Sequence, residues 1–386
     1  MKQPLFFLSK DTITTLLLQG LVIGIIFYAA HGLLNTTQEN LEARNIASGF
    51  GFMSLESGMP ISNSLLPYSP ADSYGYAFFI GTLNTLFVAV LGIILSTILG
   101  IVVGVARVSS NWLIAKLAEI YVEILRNIPL LLTLFFTYSI ALAALPIPRK
   151  SLIPFEGFFL NNRGIYFPRP IPESGFLLVC LALVAGIIAA ILIQRFATRT
   201  HRETGRIIPS FTLGVIAIIS LPTIAWWLTG GPISWEHAAL KGFNFTGGLV
   251  IRPEFSALMT GLVLYTAAFI GENVRSGIQS VAIGQLNSSR ALGLPPGLTM
   301  RKVVLPQALR VIIPATTNDY TSLVKNSSLA VAIGYPDMVS IGGTIIGQND
   351  QAIEVIAVWM AVYMTINLVI SMFMNWLNAK VQLIGR

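Results

Sequence analysis

The chain has 386 residues, of which 54% are hydrophobic and 11% are charged, and its mean hydropathy is +0.74. A soluble domain carries about 25% charged residues, so this composition excludes an ordinary soluble protein and indicates a membrane protein. The formal charge is +7. In such an apolar chain, an excess of Lys and Arg indicates orientation in a bilayer rather than nucleic-acid binding.

Long stretches that lack acidic and basic residues mark the membrane spans, because a bilayer core about 30 Å thick requires roughly 20 apolar residues per helix. The sequence predicts an all-α polytopic membrane protein with about eight transmembrane helices. The weakest candidate contains Asp319 and Lys325 in mid-segment. In chain order the predicted spans are 12–34, 79–106, 118–145, 174–194, 207–229, 255–271, 311–334 and 355–379.

The first predicted span and the loop after it, residues 1–78, form one expected region, and residues 79–386 form the transport core. An even number of spans places both termini on one side of the membrane. With that side cytoplasmic, 15 Lys and Arg residues lie inside and 7 outside, as the positive-inside rule requires. The loop at 146–173 departs from this pattern locally, with four basic residues.

Two glycine pairs at GxxxG spacing are candidates for close helix contacts inside spans: Gly20 with Gly24, and Gly100 with Gly104. The single cysteine, Cys180, excludes an intramolecular disulfide, and its apolar neighbours predict a buried side chain. The three histidines do not have metal-ligand spacing, so we expect no metal site.

The third predicted span carries charged residues at its first end. Lys116 with Glu119, and Glu123 with Arg126, are opposite-charge pairs at i, i+3. Such pairs are usually surface salt bridges of little energetic value. Alternatively, the Arg126 guanidinium holds a substrate carboxylate, since a long apolar run follows it. One helical face of this span would hold Glu119, Glu123, Arg126, Thr133 and Thr137.

A polar stripe marks the seventh span. Asn318, Ser322 and Lys325 follow at i, i+4 and i+7, with Asp319 and Asn326 on the adjoining line. Ionisable groups inside a bilayer are costly and usually face a bundle interior or a watery cavity. Two hypotheses remain open: the stripe pairs with neighbouring helices, or it lines a solute path whose two charges suit a zwitterion.

The largest predicted cytoplasmic segment, at about 276–306, contains apolar residues at helical spacing. The pattern predicts an amphipathic helix over 277–292 that ends at Gly293, a second helix start at Thr299, and a helix opened by Pro306. Its polar face has few cations, whereas helices that lie on lipid are usually rich in Lys and Arg. Docking on a cytoplasmic partner is therefore the better interpretation.

This segment resembles the cytoplasmic "EAA" loop of the permease subunits of ABC importers. The resemblance rests on GQLNSSRALG at 284–293 followed, nine residues later, by VVLP at 303–306. EILRNIPLL at 123–131, PQALR at 306–310 and KNSSL at 325–329 resemble the polar amino-acid branch of that family. Length and the extra first span are similar to the general L-amino-acid importers, and the resemblance covers about residues 79–380.

The resemblance implies a type I importer core whose coupling helix docks on an ATPase. Asn287, Ser288 and Ser289 stand at the Glu-Ala-Ala positions, a departure that suggests a partner permease with the fuller motif. The implied coupling residues are Gln285, Asn287, Ser288, Ser289, Arg290, Ala291, Gly293, Leu305 and Pro306. The implied substrate-binding candidates are Arg126, Asn318, Asp319, Ser322, Lys325 and Asn326.

The implied function is import of amino acids across a bacterial inner membrane. The expected partners are a homologous but non-identical permease, two ATPase subunits and an extracytoplasmic amino-acid-binding protein. The chain has no phosphate-binding P-loop, so we expect ATP and Mg²⁺ to bind on the ATPase subunits and no cofactor on this chain. An ion-coupled secondary amino-acid transporter is the alternative, and a purely structural membrane subunit is the third hypothesis.

Overall fold

The computed structural model describes residues 10–43, 48–206 and 208–381. The predicted cytoplasmic charges Lys2 and Arg386, the external charge Arg44 and the first residue of the fifth span, Ile207, lie outside these residues. The chain divides into two compact units, Met1–Thr137 with Leu258–Arg386, and Tyr138–Ala257. The expected division near residue 78 stays a prediction.

Helices account for most of the chain, and each predicted span falls on helical residues. The helices are α1 (Lys10–Ala43), α2 (Tyr74–Arg107), α3 (Trp112–Asn127), α4 (Leu130–Ala143), α5 (Phe176–Thr204), α6 (Ser210–Leu228), α7 (Pro253–Gln279), α8 (Ile283–Ala291), α9 (Pro296–Thr299), α10 (Leu305–Asn326), α11 (Met338–Asn349) and α12 (Ala352–Val381). Short 3₁₀ helices occupy Phe50–Ser54, Pro148–Lys150 and Ser327–Ile333, and a π turn joins α9 to α10.

Among the described residues, five helices are long and apolar enough to cross a membrane: α2, α5, α6, α7 and α12. The number rises to seven if two bent segments each count as one span, α3 with α4 and the segment Pro296–Ile333 with α11. α1 contributes a shorter apolar stretch, Leu17–Leu33. These findings confirm a polytopic helical membrane fold.

The third predicted span is two helices, not one. α3 and α4 meet at 108°, and the residue between them before the proline, Ile128, is extended, with φ −96° and ψ 130°. A proline excludes the α conformation from the residue before it, so Pro129 ends α3. The side chain of Asn111 begins α3 by accepting the backbone N–H groups of Leu113 and Ile114. The apolar run that begins at Ile128 continues past Pro129, so hydropathy did not reveal the break.

In the first unit, α2 is the central helix. A Cβ on Gly100 would lie 2.6 Å from Ile270 Cγ2, and one on Gly104 would lie 2.7 Å from the Gly271 carbonyl oxygen, so both glycines contact α7. This confirms the predicted close contact for this GxxxG pair. Outside its own helix backbone, such a Cβ on Gly20 or Gly24 would have no atom of the described residues within 4 Å.

The other end of α2 packs on α11 through buried polar groups. Asn84 Nδ2 donates to the carbonyl oxygens of Asn63, at 2.7 Å, and Pro336, at 2.8 Å. Thr85 Oγ1 accepts from the Met338 backbone N–H at 3.1 Å. Buried polar groups are costly unless they are hydrogen-bonded, so these contacts fix α11 in one position against α2.

Gly104→Ala should destabilise the protein, because its Cβ would overlap the Gly271 carbonyl oxygen and the Val274 side chain. Overpacking of a close-packed interior costs about 1–3 kcal/mol. We expect a lower midpoint when the loss of the monodisperse size-exclusion peak is followed against temperature. Gly24→Ala adds the same methyl group in open space and should leave the midpoint unchanged. Equal midpoints for the two variants would contradict the packing.

The second unit contains the hairpin of α5 and α6 and seven short strands that the sequence did not predict. The strands are β1 (Phe159–Asn161), β2 (Gly164–Phe167), β3 (Arg169–Pro172), β4 (Ile233–Glu236), β5 (Ala239–Lys241), β6 (Asn244–Thr246) and β7 (Leu249–Ile251). They form antiparallel sheets ordered β1-β2-β7, β3-β4 and β5-β6. The loops on either side of the hairpin therefore pair with each other. Cys180 on α5 is exposed, so the expectation of a buried side chain was wrong.

Candidate functional site

The predicted polar stripe lies on α10, which starts with Pro306 in its first turn, where a missing N–H costs no helical hydrogen bond. Asn318, Ser322 and Lys325 are exposed, whereas Asp319 and Asn326 are partly buried. Val324, on the opposite side of the helix, is fully buried, and so is Leu323 at the edge of the polar face. α10 therefore packs on the chain by one face and presents polar side chains, with one ammonium group, on the other.

A cavity of about 270 Å³ lies beside this face, between α10 and α7. It brings together three of the predicted residues, Asp319, Ser322 and Asn326. The α7 side consists of Tyr265, Thr266 and Phe269, and Leu323 completes the lining. The cavity thus combines a carboxylate, an amide and a hydroxyl with aromatic surface, a composition typical of small-molecule sites.

Asp319 has a partner on α7. Its Oδ2 atom accepts a hydrogen bond of 2.6 Å from Asn273 Nδ2. Lys325 has no carboxylate within ion-pair distance in the described part of the chain. The pairing hypothesis therefore applies to Asp319, whereas the solute-path hypothesis stays open for Lys325.

Arg126 lies at the end of α3 and reaches α7. Its guanidinium carbon is 5.2 Å from the centre of the Phe269 ring, and its Nη1 is 4.0 Å from Glu272 Oε2. Phe269 connects Arg126 to the cavity, because the same ring lines it. The predicted pair of Glu123 with Arg126 is not among the ion pairs of the described residues.

The predicted pair of Lys116 with Glu119 is present, at 2.9 Å between exposed groups. The single polar face predicted from Glu119 to Thr137 does not form, because the 108° bend separates α3 from the threonines. On α4, Thr133 is buried and Thr137 Oγ1 donates to the Thr133 carbonyl oxygen at 3.0 Å.

Glu272 is the residue that sequence reasoning missed. Its carboxylate contacts Arg107 of α2, Arg126 of α3 and Arg275 of its own helix. One carboxylate thereby lies within ion-pair distance of three guanidinium groups and connects three helices. The i, i+3 spacing to Arg275 is visible in the sequence, but Arg107 is 165 positions away.

The helix predicted to be the coupling helix corresponds to α8, and it is shorter than predicted. Residues 277–279 continue α7, and a break at 280–282 precedes α8, so the predicted start at 277 was wrong. The predicted end is confirmed: Gly293 has φ +71°, and the backbone N–H of Leu294 donates to the Ser289 carbonyl oxygen. The second predicted start, Thr299, is instead the last residue of α9.

The predicted coupling residues differ in their exposure to solvent. Ser289 is buried, 3% exposed, and its Oγ donates to the Leu286 carbonyl oxygen at 2.8 Å. Pro306 is partly buried. The remaining predicted residues are exposed: Gln285, Asn287, Ser288, Arg290, Ala291, Gly293 and Leu305.

Residues 182–383 match the family of the binding-protein-dependent transport system inner membrane component. The putative amino-acid ABC transporter permease protein YhdX of Escherichia coli (strain K12) is 45% identical over 379 residues, covering 98% of this chain and 96% of that protein. The chain belongs to this family. A general L-amino acid transport system permease protein, AapQ of Rhizobium johnstonii, is also 45% identical, covering 95% of this chain and 90% of that protein.

The fold is also similar to that of a solved amino acid ABC transporter crystallised with histidines, with a TM-score of 0.47, 18% identity, and coverage of 80% of this chain and 95% of that chain. Family membership confirms the resemblance deduced from the loop at 284–306 and establishes a membrane-spanning transport subunit. It decides against the ion-coupled carrier and the purely structural subunit. The apolar helices place the chain in the membrane.

Proposed function

We propose that this chain is the permease subunit of an ATP-driven amino-acid importer and that substrate passes along the polar face of α10. The amino-acid assignment rests on the names of the relatives that cover nearly the whole chain. The observation that carries the path is the exposed polar stripe beside a polar cavity. The residues that we assign to it are Arg126, Asn318, Asp319, Ser322, Lys325 and Asn326.

The exposed stripe requires a protein partner. An ammonium group and polar side chains that face hydrocarbon cost several kcal/mol, and lipid-exposed irregular backbone does not occur. Lys325 and the break at Ile128 and Pro129 are both exposed in this chain. A second permease that covers these residues and encloses a watery path removes the cost of the exposed ammonium group and of the exposed backbone. Because Asn287 departs from the Glu-Ala-Ala signature, we propose that this second permease is a homologous, non-identical chain.

The remaining subunits follow from the coupling helix and the family. We propose that α8 docks on one of two ATPase subunits, which bind ATP and Mg²⁺ and perform the hydrolysis. An extracytoplasmic amino-acid-binding protein delivers the substrate on the other side. Both termini lie in the cytoplasm of a bacterial cell, as the positive-inside distribution of Lys and Arg predicts.

Reconstitution tests this proposal. The complete transporter is placed in proteoliposomes with its binding protein, and uptake of a panel of labelled amino acids is measured with and without ATP. We expect uptake that requires both ATP and the binding protein. Uptake that persists without ATP and follows an imposed ion gradient would contradict the proposal.

Cross-linking tests the docking of α8. In a Cys180→Ala background, Ser288→Cys places a thiol on the exposed surface of α8, and Ser289→Cys places one in its buried face. We expect a reagent with one thiol-reactive end and one amine-reactive end to join Ser288→Cys to a lysine of an ATPase subunit and to leave Ser289→Cys unjoined. The measurement is the mass shift of the permease band. No product from Ser288→Cys, Asn287→Cys or Arg290→Cys would refute docking through α8.

A further inference from the structure

The second unit contains a cavity of its own, with a volume of about 510 Å³. Its walls come from β2 and the turn before it, from β6 and the turn after it, from β7 and from the first turn of α7, with the last turn of α4 at one side. All of these residues lie outside the α10 face described above. The lining is Leu142, Asn162, Arg163, Tyr166, Asn244, Phe245, Gly247, Val250, Arg252, Pro253 and Glu254.

Two arginine side chains that line this cavity have no carboxylate partner. Arg163 and Arg252 make no ion pair with any described residue, although Glu254 lines the same cavity. Both guanidinium groups act on the buried phenol of Tyr166: burial raises the pKa of Tyr166, and the two nearby positive charges oppose that rise. Arg163, in the turn between β1 and β2, and Arg252, directly after β7, therefore lie near the same side chain of the cavity.

A carboxylate faces the same cavity with unused hydrogen-bonding capacity. Glu254 Oε1 lies 3.5 Å from the Tyr138 hydroxyl, whereas Glu254 Oε2 is buried and has no hydrogen-bond partner among the residues that the structure describes. A buried carboxylate oxygen without a donor is costly, and an ammonium group that enters the cavity would satisfy it.

Aromatic rings form an apolar wall between the charges. The rings of Tyr166 and Phe245 are 4.8 Å apart, and Phe159 packs on Phe245 from outside the cavity at 4.7 Å. Small-molecule sites combine such an apolar wall with a few convergent polar groups, in cavities of about 300–1,000 Å³. Two unpaired guanidinium groups, an unsatisfied carboxylate oxygen and an aromatic wall therefore occur in one cavity of suitable size.

We propose that this cavity binds a free α-amino acid, with its carboxylate on Arg163 and Arg252 and its ammonium group on Glu254. Guanidinium groups bind carboxylates with bidentate geometry, and a carboxylate accepts charge-assisted hydrogen bonds from ammonium. The side chain of the ligand lies along Tyr166 and Phe245. This site is additional to the path along α10, and its occupancy does not depend on ATP.

Equilibrium binding of labelled L-glutamine tests the proposal. The complete transporter is held in nanodiscs without ATP and without the binding protein, and all variants carry Asp319→Asn and Lys325→Met so that the α10 face is altered equally. We expect saturable binding that weakens at least tenfold in Arg163→Gln, Arg252→Gln and Glu254→Gln. Arg169→Gln removes an exposed guanidinium on β3 that does not line the cavity and should leave binding unchanged.

Competition separates the two charges. Glutaramic acid lacks the ammonium group of glutamine, and 4-aminobutanamide lacks its carboxylate, so each should compete at least tenfold more weakly than unlabelled glutamine. Elution of each variant as a monodisperse complex shows that it has folded, and Arg252→Lys, which keeps the charge, should retain more affinity than Arg252→Gln. Binding unaffected by Arg163→Gln and Arg252→Gln, or no saturable binding at all, would overturn the proposal.

Discussion

Lys325→Met should reduce ATP-dependent amino-acid uptake by roughly 10- to 100-fold while the complex still assembles. A hydrogen bond to a charged group is worth about 1.5–3 kcal/mol, and 1.4 kcal/mol is a factor of ten. Lys325 is exposed on the polar face of α10 and has no carboxylate partner in the described chain, so its ammonium group is available to substrate. The helix packs by its opposite face, so removing the charge should not release α10.

Two control variants test whether a loss of uptake comes from the missing charge and whether it is specific to position 325. Lys325→Arg keeps the charge and should retain more uptake than Lys325→Met. Lys241→Met removes an exposed ammonium on β5, in the other unit, and should leave uptake near that of the unmodified protein. The measurement is the initial rate of uptake in proteoliposomes at matched protein content. Full activity in Lys325→Met would remove this residue from the path.

Glu272→Gln should clearly lower the thermal stability of the complex. The side chains of Arg107, Glu272 and Arg275 are only 13%, 20% and 29% exposed. Breaking a buried ion pair by removing one partner costs about 3–5 kcal/mol, because the other charge stays buried and unpaired. Here one carboxylate is shared, so its loss leaves several guanidinium groups without compensation.

The measurement is the thermal midpoint of the purified complex, followed by fluorescence-detected size exclusion. We expect a clear fall for Glu272→Gln and a partial recovery when Arg275→Gln is added, because the second change removes one uncompensated charge. Glu203→Gln breaks an ion pair with Arg199 in which both groups are mostly exposed, and it should cause no measurable change. Equal midpoints for Glu272→Gln and Glu203→Gln would show that the ion pairs of Glu272 do not hold the helices together.

Local chemistry made several features predictable. The end of α8 follows from Gly293, whose φ of +71° favours glycine. The contact of α2 with α7 follows from Gly100 and Gly104, since small residues let helix backbones approach closely. The polar face of α10 follows from helical spacing alone, which determines which side chains share a face.

Other features depend on contacts that spacing does not encode. The 108° break follows from Pro129, but the apolar run that begins at Ile128 continues past the proline, and hydropathy therefore predicted one span. β3 pairs with β4, about 60 residues away, and strands of three or four residues are too short to show a clear alternation. The role of Glu272 in connecting helices is visible only in the folded chain, because Arg107 is distant in sequence and lies beside it there.

Cysteine accessibility tests most directly whether the polar face of α10 lines the substrate path. In a Cys180→Ala background, Ser322→Cys is treated with a charged, membrane-impermeant thiol reagent in the assembled transporter, and Val369→Cys on the exposed apolar face of α12 is the control. We predict that Ser322→Cys reacts, that saturating substrate slows the reaction and that modification blocks uptake, whereas Val369→Cys does not react. A Ser322→Cys thiol that reacts equally fast with and without substrate, or stays as unreactive as Val369→Cys, would contradict a path along α10.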